Sequence, residues 1–97
     1  MKYVWDPEKA EKNLKKHSIS FGEATLVFED RYGLELFDEI HSTFGEKRFI
    51  RIGISSDKLL NVVYSVWDES NEVHRIITAR KATAFEQRLY WEERHEE

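Results

Sequence analysis

With no cysteine among its 97 residues, this chain must draw any reactivity from imidazoles, carboxylates and cations. His17, His41, His74 and His95 are its imidazoles, and no two of them stand at a close metal-ligand spacing, so no metal site is expected. The cations are better placed. Arg75 and Arg80 bracket Ile76-Ile77-Thr78-Ala79, Arg48 opens another apolar run, and His41-Ser42 stands just before it. Such groups can act on RNA without a metal. Cleavage beside a 2′-OH needs a base for its proton, an acid for the leaving oxygen and cations for the phosphorane charge. Arginine suits the last role because its planar fork meets phosphate oxygens two at a time.

Each of these residues also has a plainer use. An arginine at a strand end commonly forms a surface ion pair. His41 has Asp38 and Glu39 nearby, as a satisfied loop histidine would. His17 shares a helical face with Ala10 and Leu14, where a packed or capping residue is usual. Trp5 and Trp67 could stack bases, and core packing explains them equally well. Other chemistries are excluded more firmly. There is no glycine-rich phosphate loop, no G-x-S-x-G elbow and no H-E-x-x-H pair, and four glycines leave little for a nucleotide cradle, so no cofactor is expected.

Net charge is −4, which argues against simple charge-driven coating of nucleic acid. The distribution is uneven. Lys2, Lys9, Lys12, Lys15 and Lys16 crowd the first helical region, and Arg75, Arg80 and Lys81 form a second group. Acid gathers at Glu29, Asp30, Glu35, Asp38 and Glu39, and again at Glu92, Glu93, Glu96 and Glu97. The opening residues lack the apolar run of a signal peptide, and no apolar stretch is long enough for a bilayer. A cytoplasmic protein with no membrane association is the expectation.

These side chains need a scaffold, and its elements can be read from periodicity. Asp6 suits an N-cap, Pro7 the first helical position and Glu8 the positive end of the helix dipole. Ala10, Leu14 and His17 follow at helical spacing, with Lys9, Lys12 and Lys16 on a neighbouring solvent-facing stripe. Ser20 and Glu23 make a capping box for a second short helix with Phe21, Ala24, Val27 and Phe28 inward. Leu34–Phe37 alternates as a short strand. In 48–55, Ile50, Ile52 and Ile54 point one way and Phe49, Arg51 and Gly53 the other. Ser56-Asp57-Lys58 reads as a hairpin turn, and 59–67 as a strand buried on both faces. A polar turn at 68–71 precedes a last strand over 73–79. A final helix over 82–95 follows, with Ala82, Phe85, Leu89 and Tyr90 inward and Trp91 off that stripe. Segregated elements of this order make an α+β fold: two N-terminal helices, an antiparallel β-meander of about four strands and a C-terminal helix, with a short opening strand at 3–5. At 40% hydrophobic residues, with no linker or repeat, residues 1–97 form a single domain.

The order of several short motifs resembles the BrnT family of toxins. They are Trp5-Asp6-Pro7, Lys9-Ala10, Asn13, Lys16-His17, Ser20-Phe21 and Glu23-Ala24, then His41-Ser42, Arg48-Phe49 and Ile52-Gly53. The fullest match is Arg75-Ile76-Ile77-Thr78-Ala79-Arg80-Lys81-Ala82, followed by Glu86 and Tyr90. This resemblance implies a toxin of a type II toxin–antitoxin pair with a fold like the RelE class of ribonucleases. It implies metal-independent RNA cleavage leaving a cyclic phosphate. It also implies a small DNA-binding antitoxin of the BrnA kind, through which alone the complex would touch operator DNA. On that basis Arg48, Arg75 and Arg80 would hold phosphate and stabilise the transition state. His41 would move the proton, with His17 as second candidate, and Lys12, Lys16 and Lys81 would draw in the RNA backbone.

Two departures from the family pattern carry expectations. Ser18 stands where glycine is usual, so the first helix must end by another turn or hold Ser18 in a strained backbone. Val63-Tyr64-Ser65-Val66-Trp67 lacks polar and basic residues at its end. That feature favours an alternative, a catalytically silent module that keeps the toxin fold and only modulates DNA binding by its partner.

Overall fold

A computed structural model describes residues 1–68 and 73–95 of the chain. The polar turn expected at 68–71 lies outside the described residues beyond Asp68, as do Glu96 and Glu97. Along the chain run β1 (Lys2–Val4), α1 (Pro7–His17), α2 (Phe21–Ala24) with a 3-10 turn (Thr25–Glu29), β2 (Leu34–Phe37), β3 (Arg48–Ser55), β4 (Lys58–Asp68), β5 (Val73–Lys81) and α3 (Ala84–His95). The five strands form one sheet in the order β1-β5-β4-β3-β2. The α+β class and the four-stranded antiparallel meander, β2 to β5, stand as expected. The opening strand adds a fifth member that runs parallel to β5, so the sheet is mixed. No helix of the described residues is long and apolar enough to cross a membrane.

Local chemistry sets the helix ends. Asp6 Oδ1 accepts from Glu8 N–H at 2.9 Å, and Pro7 follows at N1. Ser18 closes α1 at φ 59°, its N–H donating to Leu14 O, so the serine does adopt the left-handed backbone usually left to glycine. The Ser20–Glu23 capping box forms in both directions at 3.0 Å.

Which face α1 buries was not legible from apolar spacing. Leu14 is half exposed, whereas Asn13 is the buried residue of the helix. The cause is the sheet edge. β1 runs beside only Val73–Arg75, which leaves the later edge of β5 without a neighbouring strand. Asn13 takes that place. Its Nδ2 donates to Ala79 O at 2.8 Å and to Ile19 O at 3.0 Å, and Ala79 N–H donates to its Oδ1 at 3.1 Å. A side-chain amide thus satisfies the backbone groups that an open strand edge would leave buried and unpaired.

One sheet face is sealed by the two N-terminal helices. Ile19, Phe21, Ala24 and Val27 pack on Leu60, Val62, Tyr64, Ile76 and Ala79, all essentially inaccessible to solvent. Gly53 allows the close approach, since a Cβ there would sit 3.1 Å from Val27 O. Burial raises the Tyr64 hydroxyl well above its ordinary range, reinforced by its hydrogen bond to Glu35.

The opposite face is covered only at one end, where α3 sets Tyr90 and Ala82 against Ile52. Here the expected stripe needs correction. The helix begins at Ala84 rather than 82, and Phe85 is exposed. Glu86 and Tyr90, four residues apart, face inward instead. Tyr90 Oη donates to Asp30 Oδ2 at 2.6 Å, and Glu86 bonds Asn61 of β4, so two polar anchors set the rotation of α3. Trp91 is exposed, as its position off the stripe suggested.

Candidate active site

The uncovered part of this second face carries the cations. Arg48 of β3 lies opposite Ser65 of β4, and Ser65 opposite Arg75 of β5, so the three share one row. Arg80 lies opposite Asn61, four residues back along β4. Arg75 and Arg80 are five apart, and in a regular strand they would point to opposite faces. A bulge resolves the parity. Tyr64 pairs with Ile76 but Val63 with Thr78, so Ile77 is the extra residue, and Arg75 and Arg80 emerge on the same side.

A cavity of about 300 Å³ opens on this face, lined among others by Asp38, His41, Arg48, Asn61, Arg80 and Glu86, with Ile50 and Val63 as an apolar floor. Three of the residues singled out from sequence, His41, Arg48 and Arg80, therefore meet in one place. Arg75 lies on the row of Arg48, two strands across, and does not line the cavity. Lys12, Lys16 and His17 line a separate cleft with Lys9 and Asn13, and the two hollows share Ile77 and Thr78 of β5. Lys81 stands apart from both, beside Lys58 and Trp91 at the β3–β4 turn.

The loop between β2 and β3 aims the imidazole. Asp38 N–H donates to Arg48 O at 2.9 Å, while Ser42 Oγ donates to Asp38 O at 2.6 Å and accepts from Arg48 N–H at 2.9 Å, tying the loop ends together. Within this clasp His41 Nδ1 lies 2.9 Å from Asp38 Oδ2. The carboxylate side chain is only 14% exposed while the imidazole is 65% exposed. A carboxylate acceptor makes Nδ1 the protonated nitrogen and leaves Nε2 free to take a proton. Sequence spacing had suggested a satisfied loop histidine. The same bond that satisfies it also orients it. Asp38 thus joins the site as the carboxylate that orients His41.

Glu86 is the second. Its carboxylate accepts from Arg80 Nη1 and Nη2 at 2.8 and 3.0 Å, from Asn61 Nδ2 at 2.7 Å and from Thr83 N–H at 2.8 Å. Burial alone would raise its pKa, but these donors and the charge of Arg80 outweigh it and take the carboxyl down to about 2. Glu86 N–H donates in turn to Thr83 Oγ1. Thr83 and Glu86 therefore form a capping box at the start of α3, a T-x-x-E signal legible in the sequence. One carboxylate both starts the helix and holds the guanidinium. Arg48 is steadied more lightly, by Glu46 Oε1 at 2.9 Å from its Nε.

Fold and pocket together define a class, a small α+β protein whose open sheet face gathers guanidinium groups around an imidazole–carboxylate pair. A family described as the ribonuclease toxin, BrnT, of type II toxin–antitoxin systems matches residues 5–86, a span that ends on Glu86 itself. The chain belongs to the BrnT family, in agreement with the resemblance carried by its motifs. No curated protein matches the sequence significantly.

Proposed function

We propose that this chain is an endoribonuclease that cleaves RNA without a metal and is neutralised in the cytoplasm by a small DNA-binding antitoxin of the BrnA kind. The observation that carries the reading is the convergence of the Asp38–His41 pair with Arg48 and Arg80 on one cavity. His41 Nε2 takes the proton of the 2′-OH as its oxygen bonds to phosphorus. Arg48 and Arg80 compensate the charge of the phosphorane. The bond from phosphorus to the 5′ oxygen then breaks, that oxygen gains a proton from solvent, and a 2′,3′-cyclic phosphate remains. Glu86, ionised throughout the neutral range, is no proton donor; it positions Arg80. Lys12 and Lys16, in the cleft that shares Ile77 and Thr78 with the cavity, attract the incoming backbone, and Lys81, apart from both at the β3–β4 turn, adds to the positive field. Trp91, 42% exposed on α3, is the aromatic anchor offered to the antitoxin.

A second reading has its own support. Both terminal nitrogens of Arg80 are turned onto Glu86, and Val66 and Trp67, near the end of β4, offer no basic or proton-transferring side chain. In that reading the chain is a silent module that only alters operator binding by its partner. One experiment separates them. The chain is purified free of partner and incubated with long mixed-sequence RNA in EDTA, beside His41→Ala and Arg80→Ala. We expect cleavage by the parent and losses on the order of 10²–10⁴-fold in the His41 variant. Intact RNA with a well-folded parent would remove the free ribonuclease and leave a ribosome-dependent nuclease or the silent module.

A further inference from the structure

From Arg48 at the cavity, the row continues to Ser65 and Arg75, which the cleavage chemistry does not use. Ser65 is fully buried, yet its Oγ has no hydrogen-bond partner among the described residues. It lies between two arginines, one on each neighbouring strand. Arg75 makes no ion pair among the described residues, and its guanidinium carbon sits 5.1 Å from the ring centroid of Trp67. A second bulge, between Val66 and Asp68, leaves Trp67 without a partner in β5 and re-aims it. At 57% exposed, this indole is an aromatic platform beside the Arg75 guanidinium, on a chain whose net charge is −4.

We propose that Trp67, Arg75 and Arg48, grouped over Ser65, form a nucleotide subsite that holds an unpaired base of RNA next to the cleaved bond. The base stacks on the indole, and its phosphate lies between the two guanidinium groups. Arg48 and Arg75 stand two strand spacings apart, about 10 Å between backbones, and two arginine side chains can close that gap around one phosphate. The Ser65 hydroxyl on the floor between them turns toward the same anion. Stacking needs a base free of its helix, so the subsite selects single-stranded segments over duplex. From Asn61 beside Arg80 to Ser65 the distance along β4 is four residues, roughly 13 Å, so the RNA lies along this strand with its flanking nucleotide at the Trp67 end.

The proposal rests on the ribonuclease reading, and the test keeps the two separable. The free protein is titrated into a fluorescently labelled 2′-O-methyl RNA of mixed sequence, which resists cleavage because its attacking oxygen is capped. The same strand annealed to its complement is the second probe. Parent, Trp67→Ala and Trp67→Phe are compared, and cleavage of ordinary RNA is followed in parallel. We expect the single strand to bind more tightly than the duplex. Trp67→Ala should weaken it by about tenfold, and Trp67→Phe, which keeps a ring, by much less. Equal affinity in Trp67→Ala, or equal binding of the duplex, would overturn the subsite even if the parent cleaves RNA. Trp67-dependent binding by a parent that cleaves nothing would uphold the subsite while the ribonuclease reading fell.

Discussion

Replacing Glu86 by Gln removes one charge and leaves the shape of the side chain nearly unchanged. In the native protein that carboxylate is 15% exposed and accepts from Arg80, Asn61 and the Thr83 backbone at once. A carboxyl moved from its ordinary 4.5 to about 2 reflects roughly 3 kcal/mol of preference for the ionised form in the folded state. Arg80 is 38% exposed, and water screens part of that, so about 2 kcal/mol is the expected loss of stability at neutral pH. The direction with pH follows from the sign of the shift. Because the folded pKa is the lower one, the stabilisation is complete above about 4.5 and disappears as pH falls toward about 2. Urea unfolding of parent and Glu86→Gln at several pH values reads this directly. Near pH 7 the variant midpoint should lie about 1 M lower, and the gap should narrow below about pH 4.5 and close as pH approaches about 2. A gap of the same size at about pH 3 as at pH 7 would refute the electrostatic argument, as would no gap at neutral pH. With Arg80 released, cleavage by the folded variant should also fall, on the order of tenfold.

Two further outcomes test the scaffold. Asn13→Ala strips the partners from Ala79 N–H and from two buried carbonyls, which should cost about 3 kcal/mol and lower the melting temperature by roughly 10–20 °C. A shift of only a few degrees would mean that the β5 edge is satisfied in some other way. Ser18→Gly relieves a left-handed backbone at φ 59° and should raise stability by about 0.5–1 kcal/mol in chemical denaturation. A loss there would mean that the serine side chain contributes more than its backbone costs.

Much of the scaffold was legible because it is written in neighbours. Asp6-Pro7-Glu8 marked the start of α1, and Ser20 with Glu23 marked α2. The alternation of Ile50, Ile52 and Ile54 placed β3 at its observed bounds, Arg48–Ser55. The failures have a common origin. Apolar periodicity put Leu14 inside α1, but the helix turned to bring a polar residue, Asn13, onto an open strand edge that lies 66 residues away in sequence. It put Phe85 inside α3, where the bonds made by Glu86 and Tyr90 set a different rotation. A hydrophobic pattern records which side chains avoid water; it does not record where a distant backbone group needs a partner.

For the site, the sequence by itself determined the inventory: no cysteine, His41 ahead of Arg48, and Arg75 and Arg80 around an apolar run. It also carried enough ordered motifs to show the family. Only the tertiary structure decided which of those residues meet. Strict alternation separates Arg75 from Arg80, and a single extra residue at Ile77 puts them on one face. Asp38 became the orienter of His41 because Ser42 ties both ends of the loop. Lys81 went to the β3–β4 turn, beside Lys58 and Trp91, away from Lys12 and Lys16. Facing depends on parity along a strand and proximity on the closure of loops. Both are settled by hydrogen bonds between residues far apart in the chain, beyond the reach of any local pattern.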